Sequence, residues 1–503
     1  MTADAQAYAD LEGRFREIAL LGDVSRVLQW DQAVMMPPGG GGARAEQLAA
    51  IDTLRHRKLT DEAMADLLAA AIAGEKGLDE WQAANLREMQ RKWSLARAVP
   101  ADLVSAHSKA SSHCEGVWRG ARAENDFAAV AADLQRVLDL TREIGAARAE
   151  ALHCSVYEAL LADYEPDGCT AEIDRLFDGC AGFLPDLIDD VLAHQARGAP
   201  FVPPAGPFPI DAQRSLTRRF AEAIGLDFET ARLDESVHPF SSGVPEDSRI
   251  TVRYNEADFA DGLMAVLHES GHANYERNRP ADWRFQPVGD ARGMVIHESQ
   301  SLLVEMQVCR SLEFYRYAAP LLRQAFGGEG EAWEAANLHR RSLAVARSFI
   351  RVDADEVTYP AHVILRYRLE QAMLAGDLSI ADLPGAWNEG LRQLLGVTPT
   401  DDGQGCLQDI HWYAGAWGYF PTYTLGAMAA AQIYEAALKA QPEIPKAIAR
   451  GDFSPLMAWL ATHIHGKGSL LSTGDLLAAA TGAPLRSDIF ESHLRRRYLG
   501  QPG

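Results

Sequence analysis

The stretch His268-Glu269-Ser270-Gly271-His272 places two histidines four residues apart, with a glutamate directly after the first histidine. On an α-helix, residues i and i+4 lie on one face, so two imidazoles at this spacing can bind a single metal ion. The glutamate then lies beside the ion, where it can accept a proton from a water molecule. Short patterns also arise by chance, and helical histidines are often structural, so the surrounding sequence has to decide. The stretch predicts a metal site on a helix.

The residues before this stretch predict a strand that leads into a helix. Residues 249–254 alternate polar and apolar side chains and include β-branched residues, which is typical of a short strand. Asn255 is the predicted N-cap of the helix, with Glu256 and Asp258 in the first turn, where the helix dipole favours acidic side chains. Apolar side chains then recur at helical spacing, at Phe259, Leu263, Val266 and Leu267.

A catalytic zinc ion needs a third protein ligand, because two histidines alone bind it weakly. The best candidate is Glu298, in a segment with helical periodicity at residues 294–305. It would complete a site of two histidines and one glutamate, a known ligand set of catalytic zinc. Two competitors remain. His297 would give a site of three histidines, and Glu305, two turns beyond Glu298, fits a solvated or ion-paired position better.

The partners that orient the two histidines are not evident from the sequence. In some zinc peptidases an aspartate four residues after the ligand glutamate orients a histidine, whereas Leu302 occupies that position here. The second nitrogen of a metal-bound imidazole almost always donates to a carboxylate, carbonyl or water. Residues elsewhere in the chain therefore have to supply this contact.

Five short motifs occur along the chain in a fixed order. They are Asp247-Ser248-Arg249-Ile250-Thr251 (D-x-R-x-T), His268-Glu269-Ser270-Gly271-His272 (H-E-x-x-H), His297-Glu298-Ser299-Gln300 (H-E-S-Q), Ile350-Arg351-Val352-Asp353-Ala354-Asp355 (I-R-x-x-A-D) and Gly405-Cys406-Leu407-Gln408-Asp409-Ile410-His411-Trp412 (G-x-x-Q-D-x-H-W). In this order they resemble the carboxypeptidase Taq (M32) family of metallocarboxypeptidases. The Trp30-Asp31 and Met36-Pro37 segments and the overall length also resemble members of that family.

The resemblance implies a mainly α-helical zinc peptidase with a deep groove between two helical halves. It implies zinc, or another divalent ion such as cobalt, held by His268, His272 and Glu298, the glutamate of H-E-S-Q being the third ligand. It also implies a homodimer whose groove admits peptides with a free carboxy terminus and excludes folded proteins. The amino-terminal helices are a candidate lid, and a broad preference for the released residue is expected.

A carboxypeptidase has to recognise the terminal carboxylate of its substrate, and the planar guanidinium of a buried arginine pairs with both oxygens. Arg351 is the first candidate and Arg249 the second. The alternative for each is an ordinary ion pair, Arg351 with Asp355 four residues later or Arg249 with Asp247. The family resemblance favours Arg351 as the carboxylate anchor.

Further candidates lie in an aromatic and glycine-rich run at residues 411–423. His411 and Tyr423 are predicted to donate hydrogen bonds to the oxyanion that forms during hydrolysis, although such a run also suits a core loop. His238, in the sequence Val237-His238-Pro239-Phe240, precedes the predicted strand and is a candidate for lining the substrate groove. A histidine in a turn before proline is more often structural.

The rest of the chain predicts one helical domain. A length of 503 residues allows several domains, but helical periodicity resumes after each of the Pro- and Gly-rich stretches, at 36–42, 198–209 and 327–330. The clearest helical periodicity lies at residues 43–75, 125–165, 310–350 and 425–450. We therefore expect a single catalytic domain over residues 1–503, mainly α-helical, with a small β-sheet near the metal site.

The composition argues against two classes of partner. The chain carries 48 basic and 70 acidic side chains, whereas nucleic-acid binding depends on a basic surface. It has no apolar run long enough to span a bilayer and no leader of charged and then apolar residues. Its six cysteines lack metal-site spacing and are expected to be reduced thiols, with Cys309 packed in the core. We expect a cytoplasmic protein that binds neither nucleic acid nor membranes.

The predicted reaction is metal-assisted hydrolysis of the last peptide bond of a peptide, with Glu269 as general base. One alternative is an oligopeptidase or dipeptidase-type activity on the same helical scaffold, which would lack a carboxylate anchor one residue beyond the metal ion. The other is a catalytically inactive, peptide-binding homologue, although the intact His268, Glu269, His272 and Glu298 argue against it.

Overall fold

The computed structural model describes residues 3–501, and most of them lie in α-helices, as the sequence predicts. The helices before the sheet are α1 (Ala3–Val34), α2 (Gly41–Leu59), α3 (Glu62–Ala73), α4 (Glu80–Ala98), α5 (Ala101–Glu124), α6 (Ala128–Leu152), α7 (Val156–Leu161), α8 (Thr170–Arg197) and α9 (Ile210–Ile224). Those after it are α10 (Phe259–Arg277), α11 (Met294–Leu302), α12 (Leu312–Phe326), α13 (Ala335–Ser342), α14 (Tyr359–Ala375), α15 (Leu383–Leu395), α16 (Pro421–Ala440), α17 (Ile444–Ile448), α18 (Ser454–His463), α19 (Thr473–Thr481) and α20 (Ser487–Leu499). Within residues 3–501, none of the helices has the length and apolarity needed to cross a membrane.

A three-stranded sheet lies between α9 and α10, in the order β1-β3-β2. Its strands are β1 (Ala231–Glu235), β2 (Ser241–Val244) and β3 (Asp247–Val252). β1 runs parallel to β3, and β2 runs antiparallel to it. Ile250 and Val252 of β3 share a small apolar cluster with Val266 and Ala273 of α10. This packing fixes the sheet against the helix that carries the two histidines. The predicted strand is confirmed, although it begins and ends two residues earlier than expected.

The start of α10 differs from the prediction. The carboxylate of Asp258 caps the helix by accepting a hydrogen bond from Ala260 N at 2.8 Å. Asn255, the predicted cap, instead accepts from Ala257 N at 2.9 Å in the turn before the helix. Asn and Asp side chains both readily form hydrogen bonds with nearby backbone groups, so the sequence alone does not decide which of the two caps the helix. The predicted apolar stripe of α10 is buried, as expected.

The apolar core has two main parts. The larger cluster runs along the chain from Val99 to Tyr498 and includes side chains of α10, α11 and α16. A smaller cluster belongs to α1, α3 and α4 and contains Tyr8, Leu11, Phe15, Met64, Leu68, Ala71, Leu86 and Met89. At the boundary, Asn85 of α4 donates to Gln286 Oε1 at 3.1 Å, and Arg292 donates to Glu88 at 3.0 Å. The amino-terminal helices thus have a core of their own; their action as a lid remains a prediction.

Two glycines allow the helices at the centre of the chain to approach closely. A Cβ atom on Gly271 of α10 would lie 2.5 Å from the backbone oxygen of Gln300 in α11. A Cβ atom on Gly426 of α16 would lie 2.8 Å from the Cβ of Glu298. Both distances are too short for non-bonded atoms, so a larger residue at either position would push the helices apart. The close packing brings Glu298 towards the histidines of α10.

We expect the Gly271→Ala substitution to lower the free energy of unfolding by about 1–3 kcal/mol, because the added methyl group meets backbone that cannot rotate away. The matched control is Gly182→Ala in α8, where the position is exposed and the added Cβ would have no neighbour within 4 Å. There the lower chain entropy of alanine should stabilise the helix by about 0.5–1 kcal/mol. Thermal unfolding midpoints measure both effects. A rise in the midpoint of the Gly271→Ala protein equal to that of the control would contradict the close-packing account.

Candidate metal centre and active site

His268 and His272 on α10 and Glu298 on α11 come together at one point. One ligand atom from each residue lies within 4.8 Å of the others, and His272 Nε2 is 3.5 Å from Glu298 Oε2. Two imidazole nitrogens and one carboxylate oxygen form a donor set that suits zinc and leaves a coordination position open. The three residues line a cavity of about 660 Å³. The structure therefore brings together the three residues predicted as ligands, and their chemistry fits a divalent metal ion.

The two competing ligands also line the cavity, and each contacts one of the two histidines. Glu305 Oε2 is 3.0 Å from His268 Nδ1, and Glu305 Oε1 accepts a hydrogen bond from Arg310 at 3.0 Å. His297 Nδ1 is 2.6 Å from His272 Nδ1. For His272, this is the ring nitrogen opposite the one that lies near Glu298. These contacts are the imidazole partners that the sequence did not reveal.

The position of Glu305 depends on a local change of helix type. Leu303–Val308 form a π-helical turn that follows α11 directly. Such turns are rare and occur frequently at functional sites. Glu305 lies in this turn and contacts His268. No sequence rule predicts the π-helical turn, so the sequence left this contact open.

Burial and charge perturb the titration of the site. Burial raises the pKa of Glu269 to about 7 and lowers the pKa of His272 to about 4. Burial alone would also lower the pKa of His268, but the hydrogen bond with Glu305 and the nearby carboxylates raise it to about 10. A divalent cation competes with that proton, because a metal ligand has to be a neutral imidazole.

Arg351 lines the same cavity and is 6% exposed. Its Nε and Nη2 donate to Asp409 Oδ1 at 3.0 and 2.7 Å, and its Nη1 donates to the hydroxyl of Tyr359 at 2.8 Å. Arg366 donates to the other oxygen of Asp409, at 2.6 Å. Two sequence motifs, I-R-x-x-A-D and G-x-x-Q-D-x-H-W, therefore meet at the wall of the cavity.

The alternative pairing of Arg351 with Asp355 is wrong. Residues Arg351–Asp353 form a short 3₁₀ turn rather than an α-helix, so the two side chains do not share a helical face. Asp355 instead accepts hydrogen bonds from the backbone nitrogens of Ala346, Val357 and Thr358. The pairing of Arg351 with Asp409 was not predicted, because a contact between residues 58 positions apart leaves no local pattern.

Tyr423 lines the cavity, and His411 lies behind it. His411 Nε2 is 3.3 Å from the Tyr423 hydroxyl. Burial lowers the pKa of His411 to about 4 and raises that of Tyr423 well above its usual value, so both side chains are neutral near pH 7. Tyr359, Tyr419 and Arg310 also line the cavity and were not singled out from the sequence. Tyr419 precedes Tyr423 by four residues, a spacing that offered a weak signal.

Arg249 and His238 do not line the metal cavity. Arg249 forms the ion pair with Asp247 that was the alternative interpretation, at 2.5 Å, and its guanidinium lies 4.3 Å from the ring centre of Trp30. His238 is exposed, and its backbone oxygen accepts a hydrogen bond from Ser236. Its neighbours Pro239 and Phe240 line the cavity instead. Arg249 thus fixes α1 to the sheet.

The fold and the site together define a helical metallopeptidase. Comparison with protein-family models specifies the class: the carboxypeptidase Taq (M32) metallopeptidase model matches residues 10–498. The chain belongs to this family. It is therefore a metallocarboxypeptidase, a hydrolase of peptide bonds that depends on a divalent metal ion.

Named relatives and solved structures agree with this assignment. The chain is 37% identical over 513 residues to thermostable carboxypeptidase 1 of Thermus thermophilus, covering 100% of both chains. It is 30% identical over 485 residues to carboxypeptidase 1 of Bacillus subtilis, covering 96% of each. Metallocarboxypeptidase 1 of Trypanosoma cruzi superposes with a TM-score of 0.96 at 37% identity, over 98% of this chain and 99% of that chain. The M32 carboxypeptidase of Deinococcus radiodurans superposes with a TM-score of 0.92 at 32% identity, over 98% and 99%.

Proposed function

We propose that the enzyme binds zinc through His268, His272 and Glu298 and releases single residues from the carboxy terminus of peptides. The observation that carries this proposal is the convergence of the three ligand atoms within 4.8 Å in a cavity that also contains Glu269 and Arg351. When bound, zinc would polarise the scissile carbonyl and make a water molecule more acidic. Cobalt fits the same donor set and is the second candidate ion.

Glu269 is the proposed general base. It follows His268 directly, lines the cavity and is 7% exposed. Its burial raises its pKa to about 7, so the carboxylate can accept a proton from the attacking water and return it to the leaving amine near neutral pH.

Tyr423 is the proposed hydrogen-bond donor to the oxyanion. Its raised pKa keeps the phenol protonated, and Tyr423 lines the metal cavity. His411 supports the same task from behind Tyr423, because its Nε2 lies 3.3 Å from the Tyr423 hydroxyl. A neutral donor held in place before the reaction stabilises developing negative charge without reorganisation.

Arg351 is the proposed anchor for the substrate's terminal carboxylate. Asp409 and Tyr359 hold the guanidinium in one orientation within the cavity wall, so little side-chain entropy is lost when a carboxylate binds. Arg310 is the other arginine of the cavity wall, and its pairing with Glu305 makes it the weaker candidate.

The metal assignment is tested by elemental analysis of the isolated protein and by reconstitution. We expect about one zinc per chain, loss of peptidase activity on chelation, and recovery when zinc or cobalt is returned. The His272→Ala protein should not recover. Activity that survives complete removal of the metal ion would refute the proposed function.

The family resemblance also supports a homodimer and a cytoplasmic location. Within residues 3–501 all six cysteines are free thiols, as expected in a reducing compartment. Light scattering should give twice the chain mass of 54.9 kDa. A mass equal to that of one chain would refute the dimer.

A further inference from the structure

The two metal-binding histidines are supported in different ways. His268 Nδ1 contacts a carboxylate directly, that of Glu305 at 3.0 Å. His272 Nδ1 contacts His297 Nδ1 at 2.6 Å, and His297 Nε2 lies 2.9 Å from Glu276 Oε1. We propose that Glu276 is a positioning residue that, through His297, fixes His272 in the ring orientation and tautomer that bind the metal ion. The inference rests on the metal site of the proposed function.

With a metal ion bound, these contacts require one arrangement of protons. His272 Nε2 lies 3.5 Å from Glu298 Oε2, so Nε2 is the nitrogen that would bind the ion, and Nδ1 would then carry the proton. That proton is donated to His297 Nδ1, which has to be the acceptor. His297 then keeps its own proton on Nε2 and donates it to Glu276.

The carboxylate of Glu276 is what selects this arrangement. An acceptor at this position favours the His297 tautomer with its proton on Nε2. Without it, His297 can carry the proton on Nδ1 and donate it to His272 Nδ1. The proton of His272 would then lie on Nε2, where it competes with the metal ion.

The surroundings keep both members of this pair in place. Arg279, 9% exposed, pairs with Glu276 at 3.1 Å and with Asp290 at 3.2 Å. The ring of His297 lies 5.3 Å from that of Tyr275, whose hydroxyl accepts a hydrogen bond from Arg292 N. The pair is therefore held from both sides, while the side chains of His297 and Glu276 stay 19% and 29% exposed.

The spacing along α10 explains how one helix supplies three of these groups. His268, His272 and Glu276 are four residues apart in turn, so they share one face. An imidazole lies between Glu276 and His272, whereas none lies between Glu305 and His268. The negative charge of Glu276 is thus separated from His272 by the ring of His297, whereas the charge of Glu305 contacts His268 directly.

The test measures metal binding rather than activity alone. Zinc and cobalt affinities are determined by competition with a chromogenic chelator, and the cobalt form is examined by visible absorption. The variants are Glu276→Gln, which keeps the shape but weakens the acceptor, and His297→Phe, which removes both links. Glu305→Gln is the reference for a direct carboxylate. Asp261→Asn, an exposed carboxylate on the same helix, is the matched control.

We expect Glu276→Gln and His297→Phe to weaken metal binding by about 10- to 100-fold and to alter the cobalt spectrum. The reference variant Glu305→Gln should show the same two effects. Asp261→Asn should stay within about twofold of the unmodified protein, since it touches neither histidine. Unchanged affinity and spectrum in the first two variants would overturn the inference. If His297→Phe does not fold, as judged by thermal unfolding of the metal-free protein, the isosteric Glu276→Gln decides.

The outcome separates this inference from the proposed function. Normal metal binding by the unmodified protein, together with unchanged binding by the variants, overturns the role of Glu276 and leaves the metal site intact. An unmodified protein that binds neither zinc nor cobalt overturns both.

Discussion

The Glu269→Gln protein is expected to lose peptidase activity by about 10²- to 10⁴-fold, the usual contribution of a positioned general base. Glutamine matches glutamate in size but cannot accept a proton from water. Glu269 is not among the three residues whose ligand atoms converge, so metal content should stay at the level of the unmodified enzyme. The reduction should therefore appear in kcat, with KM nearly unchanged.

The control for this prediction is Glu298→Gln, the same chemical change at a proposed metal ligand. That protein should lose its metal ion as well as its activity. Equal metal content in both proteins would contradict the division of roles between Glu269 and Glu298. Full activity of Glu269→Gln would remove Glu269 from the mechanism.

Because the active form of a base is deprotonated, kcat/KM should also fall as the pH drops below the pKa of Glu269, which burial raises to about 7.

The second large effect is expected at Arg351. Removing one member of a buried, hydrogen-bonded charge pair costs about 2–5 kcal/mol, which corresponds to roughly 30- to 4,000-fold in kcat/KM. The Arg351→Met protein should show this loss on peptides with a free carboxy terminus. Arg366 still pairs with Asp409 at 2.6 Å, so the buried carboxylate keeps a partner and the fold should survive.

A double-mutant cycle between enzyme and substrate isolates the contact. The unmodified enzyme and Arg351→Met are each assayed on a peptide and on its carboxy-terminal amide. If Arg351 pairs with the terminal carboxylate, amidation should slow the unmodified enzyme strongly and Arg351→Met only slightly. Arg310→Met is the matched control, since Arg310 also lines the cavity but pairs with Glu305. If amidation slows the unmodified enzyme and Arg351→Met equally, a residue other than Arg351 binds the terminal carboxylate.

The sequence predicted those parts of the site that depend on spacing within one element. His268, Glu269 and His272 follow from the helical repeat, and Glu298 from a second helical segment with the right ligand type. The strand β3 follows from its alternation. These patterns are local, so they can be recognised in the sequence without knowledge of the fold.

The contacts that orient these residues were not predictable in the same way. Glu305 reaches His268 through a π-helical turn, and Asp409 reaches Arg351 from a loop far along the chain. Arg249 belongs to a recognisable motif, yet it pairs with Asp247 and stacks on Trp30. Membership of a motif therefore does not show whether a residue faces the cavity. The packing of the folded chain is needed to show that.

The products of one reaction decide whether the enzyme is a zinc-dependent carboxypeptidase. The zinc-loaded enzyme is incubated with a peptide of defined sequence, with and without a chelator, and the products are read by mass over time. We predict successive loss of single residues from the carboxy terminus, abolished by the chelator and restored by zinc. Internal cleavage, release of dipeptides, or successive loss of residues that persists in the chelator would contradict the proposed function.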